Sequence, residues 1–463
     1  MAGTESLDRI FKAYDVRGVV PSDLDRRRAF AIGFAFARFA KERDGDVPVV
    51  VAHDMRTTGD ELAAAFGAGV EDAGGAQCAI GLASTDLLYF ASGRRPGPGA
   101  MLTASHNPSE WNGIKFCLSG ARPVAQDSGL ADIKAVAEER LASVPADVDA
   151  RPAALDPRDW IGEFADHVRS FVDVKALKPL AVVADTANGM GGLVAPAVFS
   201  ELPGSLDLLY ADLDGTFPNH PANPIDPENL ADLQARITLT GADVGLAFDG
   251  DADRVFLVDE SGGPLSGSTT TAIVASSILD KNPGATVLYN LICSRAVPEV
   301  IAEHGGVGIR TRVGHSFIKA EMALTNAVFA GEHSGHYYFR DNYRADSGII
   351  AAMFVLEALS TADVPLSELR RPFERYADSG EINTRVDDPE ATIASVEEKY
   401  ADAGAVVDHL DGLTVEFGEW WFNLRPSNTE PLLRLNVEAD NEAALGQRVA
   451  EVLEFVRGHK SEG

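Results

Sequence analysis

Short apolar strands, each followed by a helical pattern of apolar residues, recur through about the first 370 residues of this chain. Clear examples lie at residues 49–52, 180–184 and 286–289, which are about 105 to 130 residues apart. Alternating strands and helices are typical of α/β domains with a largely parallel sheet. The spacing indicates three similar α/β domains, although no clear sequence repeat accompanies it.

The last ninety or so residues have a different pattern. Residues 381–386, 414–417 and 432–437 have the pattern of half-buried strands, and only two helical stretches interrupt them. The closing helix is predicted from apolar residues at helical spacing, with a cap at its start and a glycine at its end. These residues are Leu445, Val449, Val452 and Val456, with Asp440 or Asn441 as the cap and Gly458 at the end. The pattern indicates an α+β domain with an antiparallel sheet.

The length of the chain supports several domains. At 463 residues it exceeds what one hydrophobic core normally holds. Turn-rich segments at 144–147, 260–264 and 377–380 are the predicted linkers. The predicted fold class is therefore α/β, with three similar mixed-sheet α/β domains followed by a smaller α+β C-terminal domain. The predicted domains are residues 1–148, 149–262, 263–376 and 377–463.

The charge and composition of the chain limit the classes of molecule that it is expected to bind. The net charge is −30, from 40 Lys and Arg against 70 Asp and Glu, and such a surface repels nucleic acid and anionic membranes. No run of about 18 apolar residues occurs, and the start of the chain lacks the pattern of a secretory signal. We expect no nucleic-acid partner, no membrane partner and a cytoplasmic location. An anionic substrate would require positive side chains concentrated in a cleft.

Three cysteines, Cys78, Cys117 and Cys293, are far apart and lack the spacing of a metal site. We expect reduced thiols packed as small apolar groups.

Three aspartates alternate along five residues at Asp249, Asp251 and Asp253. Carboxylates this close repel one another unless a hard cation gathers them. The run resembles an EF-hand because Glu260 stands at the twelfth place, but Arg254 occupies the sixth place, where that loop needs glycine. The flanking residues also have the pattern of strands rather than helices. Three protein oxygens with a phosphate oxygen suit Mg²⁺, and a calcium site remains the alternative.

Ser105 lies just after a predicted strand at residues 99–102, and Asn107 and Pro108 end the regular structure. The serine should therefore lie on an exposed loop at the carboxyl end of a strand.

Four segments together resemble the α-D-phosphohexomutase superfamily, and most closely its bacterial phosphomannomutase/phosphoglucomutase branch. All four occur in the family's order and span nearly the whole chain. They are Thr-Ala-Ser-His-Asn-Pro at 103–108, Asp-Gly-Asp-Ala-Asp-Arg at 249–254, Gly-Glu-His-Ser-Gly-His at 331–336 and Arg-Pro-Ser-Asn-Thr-Glu-Pro at 425–431.

The resemblance implies roles for individual residues in a cleft between the domains. Ser105 would carry a phosphoryl group and, with the three aspartates, bind Mg²⁺, while Arg254 would add a forked donor. Nearby catalytic candidates are His106 and Lys115, and His315 is a candidate general acid or base. Substrate-binding candidates are Tyr14, Arg17, Glu332, Ser334 and His336, with Arg425, Ser427, Asn428 and Thr429 for a phosphate.

The implied activity is a phosphohexomutase that interconverts hexose 6-phosphate and hexose 1-phosphate, of mannose and also of glucose. It would work through phospho-Ser105 and a bound hexose 1,6-bisphosphate, which also serves as activator. His333, the third residue of its loop, fits the hexose mutases, whereas glutamine there would indicate glucosamine phosphate. Three alternatives remain: a phosphoglucosamine mutase, a metal-dependent sugar phosphatase using the same serine, and a non-catalytic sugar- or calcium-binding protein. The expected partner is the phosphohexose, and the chain is expected to be a monomer or homodimer.

One segment departs from the family. Where it commonly has a lysine before Cys-Ser-Arg or Cys-Thr-Arg, this chain has Ile292 before Cys293. The sequence leaves open whether Arg295 replaces that lysine.

Overall fold

The computed structural model describes residues 6–401, 404–426 and 432–458, with Asp127 described by its backbone only. Within these residues the strands form four separate sheets that follow one another along the chain. Helices accompany each sheet. The predicted fold class is confirmed.

The first sheet carries the serine loop. Its strands are β1 (Val16–Val19), β2 (Val49–His53), β3 (Gln77–Leu82), β4 (Gly99–Leu102), β5 (Trp111–Leu118) and β6 (Arg122–Pro123). Its helices are α1 (Arg26–Asp44), α2 (Gly59–Asp72), α3 (Thr85–Arg94) and α4 (Leu130–Leu141). The order is β1-β5-β4-β2-β3, with β6 beside β5. β2 is parallel to β3 and β4, whereas β5 is antiparallel to β4, so the loop after β4 turns straight back into the sheet.

The second sheet carries the aspartate loop. Its strands are β7 (Leu180–Asp185), β8 (Gly204–Leu209), β9 (Val244–Phe248) and β10 (Val255–Asp259), and its helices are α5 (Trp160–Arg169), α6 (Gly191–Phe199) and α7 (Ala231–Thr240). The order is β10-β9-β7-β8. Since β9 and β10 are antiparallel, the three aspartates lie in the connection between them, as the strand pattern predicts.

The third sheet repeats this arrangement. Its strands are β11 (Thr286–Asn290), β12 (Val307–Thr311), β13 (Phe329–Gly331) and β14 (Tyr337–Phe339). Its helices are α8 (Gly267–Lys281), α9 (Ala296–Glu303), α10 (His315–Thr325), α11 (Gly348–Ala362) and α12 (Leu366–Leu369). The order is β12-β11-β13-β14, with β14 antiparallel to β13. The sugar-loop motif at 331–336 therefore occupies the same hairpin position as the aspartate loop.

The C-terminal sheet is antiparallel, as predicted. Its strands are β15 (Ala377–Arg385), β16 (Val406–Asp408), β17 (Leu413–Glu416), β18 (Trp420–Pro426) and β19 (Leu432–Ala439), and its helices are α13 (Pro389–Ala401) and α14 (Glu442–Gly458). The order is β15-β19-β18-β17-β16. Residues 377–380, where a linker is predicted, begin β15, and Ser379 and Gly380 form its bulge against β19. Asn441 caps α14 by accepting from the amide of Ala444 at 3.0 Å.

A shared core fixes the first three units relative to one another. It includes Leu88 from α3, Phe164 from α5, Phe248 from β9 and Ile350 from α11, all buried. The C-terminal unit has a separate core. The loops at the ends of the first three sheets are thus held by one packed interior.

In the described part of the chain, no single helix is long and apolar enough to cross a membrane. The pair formed by Gly348–Ala362 and Leu366–Phe373 meets length and composition limits together, but it is bent by 93°. The first member is α11, which is mostly buried in the shared core.

His220 anchors the proline-rich loop at 217–224 to the second sheet. Its Nε2 lies 3.0 Å from Asp185, and this ion pair raises the pKa of His220 although partial burial alone would lower it. A histidine with a raised folded pKa contributes stability that is full below its unfolded pKa and is lost as pH rises through the folded pKa.

We therefore expect His220→Gln to destabilise the protein more at pH 6 than at pH 8.5. Melting temperatures of the variant and the unmodified chain, measured at both pH values, test this. An equal or larger loss at pH 8.5 would contradict the ion pair.

Candidate active site

A cavity of about 420 Å³ lies where loops from the first and third units meet the C-terminal unit, beside the aspartate loop of the second. Loops after β4 and β9 reach it because both follow the carboxyl ends of strands. The predicted site residues that line it are Tyr14, Arg17, Ser105, His106, Lys115, Asp253, His315, His336 and Arg425. Side chains distant in sequence therefore meet in one cleft.

Ser105 is held in an uncommon conformation at the wall of this cavity and is only 3% exposed, so the prediction that it lies on an exposed loop is wrong, because the aspartate loop packs over it. Its φ is 50°, and its amide donates to Thr103 Oγ1 at 2.9 Å. The hydroxyl donates to Asp249 Oδ2 at 2.8 Å and lies 3.3 Å from His106 Nδ1. The serine oxygen thus stands between the aspartate loop and a histidine, where an attached phosphoryl group would face the cavity.

The three aspartates form a buried cluster. Ligand oxygens of Asp249, Asp251 and Asp253 lie within 4.8 Å of one another. Asp251 Oδ1 and Asp253 Oδ1 are buried with no hydrogen-bond partner among the described residues. Unpartnered carboxylate oxygens in a buried group are costly unless a cation satisfies them. The donor set, all hard oxygens, fits Mg²⁺.

Two basic residues partly neutralise the cluster. Lys115 Nζ donates to Asp251 at 2.9 Å and to Asp253 at 2.6 Å. Burial raises the pKa of Asp249 to about 7, although Arg254 opposes the shift through its 3.0 Å bond to Asp249. Burial would also raise the pKa of Asp251, but Lys115 and a hydrogen bond from Thr85 outweigh it and lower that pKa.

Two histidines in the cavity have lowered pKa values, which favours their neutral forms. Burial lowers the pKa of His106 well below its usual value, and the positive charges of Arg254 and Arg17 add to the effect. Burial likewise lowers the pKa of His315, the first residue of α10, with Lys319 contributing. A neutral imidazole can accept a proton, which suits both residues to proton transfer.

The sugar-loop motif has an unexpected feature. Glu332 is 3% exposed, accepts from Tyr338 Oη at 2.5 Å and Asn290 at 3.2 Å, and lines neither large cleft cavity. Ser334 instead lines an adjoining cavity of about 670 Å³. His336 faces the first cavity with Nε2 3.6 Å from Asp253. Ser334 Oγ and His336 Nδ1 lie 3.2 Å apart and both residues line a cavity, whereas the carboxylate of Glu332 is engaged by protein.

Arg425 joins the two cavities. It lines both, and its Nη2 donates to Glu381 at 2.7 Å. Arg434, which the sequence analysis missed, lies 3.4 Å from the same carboxylate. Two arginines therefore lie beside one carboxylate, and both line the two cavities. Ser427, Asn428 and Thr429 lie outside the described residues.

Arg295 does not replace the missing lysine. Its Nε donates to Glu438 at 3.0 Å and its guanidinium bonds the carbonyls of Gly418 and Glu419. These partners belong to the C-terminal unit, so Arg295 joins that unit to the third. Ile292 is 7% exposed and lines the adjoining cavity. The cleft wall is apolar where the family commonly has a charge.

Further polar residues lie at the site beyond the candidates for catalysis and substrate binding. Asp346 pairs with the buried Lys319 at 3.0 Å and lines the cavity. Lys319 stands four residues after His315, so helical spacing could have placed it on the same face. Arg56 contacts the serine loop. Its position just after the buried strand β2 could have identified it from the sequence.

Comparison with known families gives four successive matches. They are phosphoglucomutase/phosphomannomutase α/β/α domain I at residues 8–142, domain II at 162–263, domain III at 266–376 and the C-terminal domain at 381–455.

Curated relatives and a solved structure agree with these four family matches. Proteins named phosphohexose mutases from Xanthomonas campestris pv. campestris are 38% identical over 451 residues, covering 97% of this chain and 99% of their own length. An Escherichia coli K12 phosphomannomutase is 37% identical over 443 residues, covering 94% and 96%. A phosphoglucomutase/phosphomannomutase family protein from Burkholderia thailandensis superposes with a TM-score of 0.86 at 31% identity, covering 98% of each chain.

Proposed function

The chain belongs to the phosphoglucomutase/phosphomannomutase family and is a phosphohexomutase, an isomerase, and we propose that it interconverts the 6- and 1-phosphates of mannose and glucose through phospho-Ser105. The observation that carries this proposal is the position of the serine oxygen. It lies 2.8 Å from Asp249 and faces a cavity that Arg425 also lines. One end of a phosphosugar can react at Ser105 while the other end is held near Arg425.

In the proposed reaction, the phosphoryl group moves from Ser105 to the free hydroxyl of a bound hexose monophosphate. The bond from phosphorus to the serine oxygen breaks and a bond to the sugar oxygen forms. The proton of the sugar hydroxyl passes to a neutral histidine, for which His315 is the candidate. The proton released by the sugar balances the one that the serine oxygen takes up, and His106, whose Nδ1 lies 3.3 Å away, can relay a proton by accepting at one ring nitrogen and donating from the other.

The product of this first step is a hexose 1,6-bisphosphate. It must turn within the cleft so that its other phosphate returns to Ser105, which restores the phosphoenzyme. Expulsion of water matters here, because water would otherwise take the phosphoryl group. Free bisphosphate would also rephosphorylate an enzyme that has lost its phosphate, and so act as activator.

Asp249, Asp251 and Asp253 would hold Mg²⁺ together with an oxygen of phospho-Ser105. When bound, the ion would withdraw charge from the phosphoryl oxygens and favour departure of the serine oxygen. The buried oxygens of Asp251 and Asp253 that lack hydrogen-bond partners support this assignment.

The test is a side-by-side assay of mannose 1-phosphate, glucose 1-phosphate and glucosamine 1-phosphate, with Mg²⁺ and a trace of bisphosphate. We expect turnover of the first two, because the loop that carries His333 resembles that of the hexose mutases. Preference for the glucosamine ester would contradict the proposed substrates. Release of inorganic phosphate as fast as isomerisation would indicate a phosphatase.

Arg425→Ala is expected to weaken phosphosugar binding by roughly 1.5–3 kcal/mol, the range for a hydrogen bond to a charged group. That corresponds to a rise in KM of about 10- to 150-fold at a tenfold change per 1.4 kcal/mol. Steady-state kinetics with mannose and glucose 1-phosphates measure it.

The matched control is Arg385→Ala, which removes an exposed arginine from β15 of the same unit. Its KM should stay within about twofold, since it lines neither cavity. An unchanged KM for Arg425→Ala with both sugars would refute the phosphate-binding role.

The proposed location is the cytoplasm, and the proposed partner is the phosphosugar alone, in a monomer or homodimer. Cys78, Cys117 and Cys293 are free and buried, which suits a reducing compartment. The net charge of −30 disfavours nucleic acid as a partner.

A further inference from the structure

Arg56 donates four hydrogen bonds to backbone carbonyls at the serine loop and faces one carboxylate. Nη1 donates to the carbonyls of Pro108 at 2.7 Å and Trp111 at 2.8 Å. Nη2 donates to the carbonyls of Ser105 at 2.8 Å and Asn107 at 2.7 Å. Nε faces Asp54 at 3.3 Å. The four N–H groups of Nη1 and Nη2 are thus all used, while the buried Nε–H faces the carboxylate of Asp54 as an ion pair without a hydrogen bond.

Three of these carbonyls belong to the segment between β4 and β5, and the fourth, that of Trp111, is at the first residue of β5. Ser105 has a φ of 50°, which a residue other than glycine rarely adopts. Such a conformation persists when the surrounding structure determines it. Arg56 bonds the Ser105 carbonyl directly and three further carbonyls that follow it, which fixes the path of the loop on either side of Asn107.

The arginine is itself tightly enclosed. The side chains of Arg56 and Asp54 are both 0% exposed. The ring of Phe217, from the second unit, lies 5.3 Å from the guanidinium carbon, and a methyl group on Gly215 would come within 2.5 Å of Arg56 Cα. The residue therefore lies between the serine loop and the unit that carries Asp249.

We propose that Arg56, oriented by Asp54, is a positioning residue that holds the Ser105 loop so that the serine oxygen stays aligned with Asp249 and the cavity. This inference rests on the proposed role of Ser105 as phosphate carrier. Arg56 does not line the cavity, so it acts through the loop and not on the substrate. Substrate-binding groups on the other units remain in place when it is changed.

Lysine cannot substitute for this arginine. An ammonium group has three donors at one point, whereas the fork of Arg56 reaches four carbonyls in two pairs. Arg56→Lys keeps the positive charge beside Asp54 while loosening the loop. Misplacement of a reacting group by about 1 Å can cost about 10²-fold in rate.

The experiment compares Arg56→Lys with the unmodified protein in steady-state and single-turnover assays. We expect kcat, and the rate at which labelled phospho-Ser105 transfers its phosphoryl group to glucose 1-phosphate, to fall about 10- to 100-fold. KM should change less than about twofold. A residue that only stabilised the fold would lower the melting temperature without this selective loss of kcat in folded enzyme.

The matched control is Arg26→Lys, since Arg26 in α1 also donates to backbone carbonyls, those of Val148 and Ala150, away from the cavity. Its kcat should be unchanged.

Asp54→Asn provides a second test variant, because it keeps Arg56 and removes the charge that orients it. We expect a smaller loss of kcat, without a change in KM. If Arg56→Lys or Asp54→Asn folds and its kcat is unchanged, the proposal is overturned. A loss confined to KM in a folded variant would also overturn it.

Labelling of the unmodified protein separates this inference from the proposed function. If Ser105 is never labelled during turnover, the proposed function fails. If it is labelled and the folded Arg56→Lys enzyme transfers at the normal rate, only the positioning role fails.

Discussion

Ser105→Ala is expected to lower mutase turnover by at least about 10³-fold, because a covalent carrier has no substitute when its oxygen is lost. The hydroxyl lies 2.8 Å from Asp249 at the cavity wall, and its removal leaves the substrate-binding residues untouched. Binding of glucose 1-phosphate should therefore persist while turnover disappears. Coupled assays of turnover and calorimetry of binding measure the two effects separately.

Ser143→Ala is the matched control, since Ser143 is an exposed serine of the same unit outside the cavity. Its turnover should equal that of the unmodified chain. Phosphate label supplied on the bisphosphate should appear on Ser105 of that chain and be absent from Ser105→Ala. Substantial residual turnover in Ser105→Ala, with no other residue labelled, would remove the basis of the proposed mechanism.

Removal of divalent metal is expected to lower turnover by at least about 10²-fold, and added Mg²⁺ should restore it. The buried aspartates supply hard oxygens within 4.8 Å of one another, and the developing charge of phosphoryl transfer needs a counter-charge there. Ca²⁺ should restore less activity, because it takes six to eight oxygens at longer distances. Turnover after chelation and after each addition tests this.

Asp253→Asn gives a second measure of the same site. It removes one ligand charge, and Mg²⁺ affinity measured by calorimetry should fall along with turnover. Asp147→Asn, an exposed change in the segment after α4, should leave both unchanged. Full activity of thoroughly chelated enzyme would show that the aspartate cluster serves another purpose.

Much of the site could be predicted from the sequence because its parts are local. Three aspartates between two apolar strands can only lie at a sheet end, and the structure places them in the β9–β10 connection. Ser105 after β4 follows the same logic. Strand periodicity and turn residues operate within a few residues, so one segment contains enough information to place each motif.

Contacts between distant segments could not be predicted in the same way. Arg56 and Ser105 are 49 residues apart, and nothing in either segment states which donor meets which carbonyl. The engagement of Glu332 by Tyr338 and Asn290 likewise depends on how β11, β13 and β14 pack. Such partners depend on tertiary packing, which local patterns do not encode.

The secondary structure of residues 377–380 shows the same limit. Ser379 and Gly380 read as a turn, but pairing with β19 outweighs local propensity and draws them into β15 as a bulge.

The sequence by itself determined the chemistry of this protein: which side chains carry charge, which loops follow strands, and which family the motifs resemble. Tertiary structure alone decided which of those side chains face the cavity, which are engaged by protein, and that Arg56 holds the serine loop. The physical reason is the distance along the chain over which each effect acts. Hydrophobic periodicity and turn preferences act over a few residues, whereas hydrogen bonds and ion pairs depend on distances that exist only after the four units have packed together.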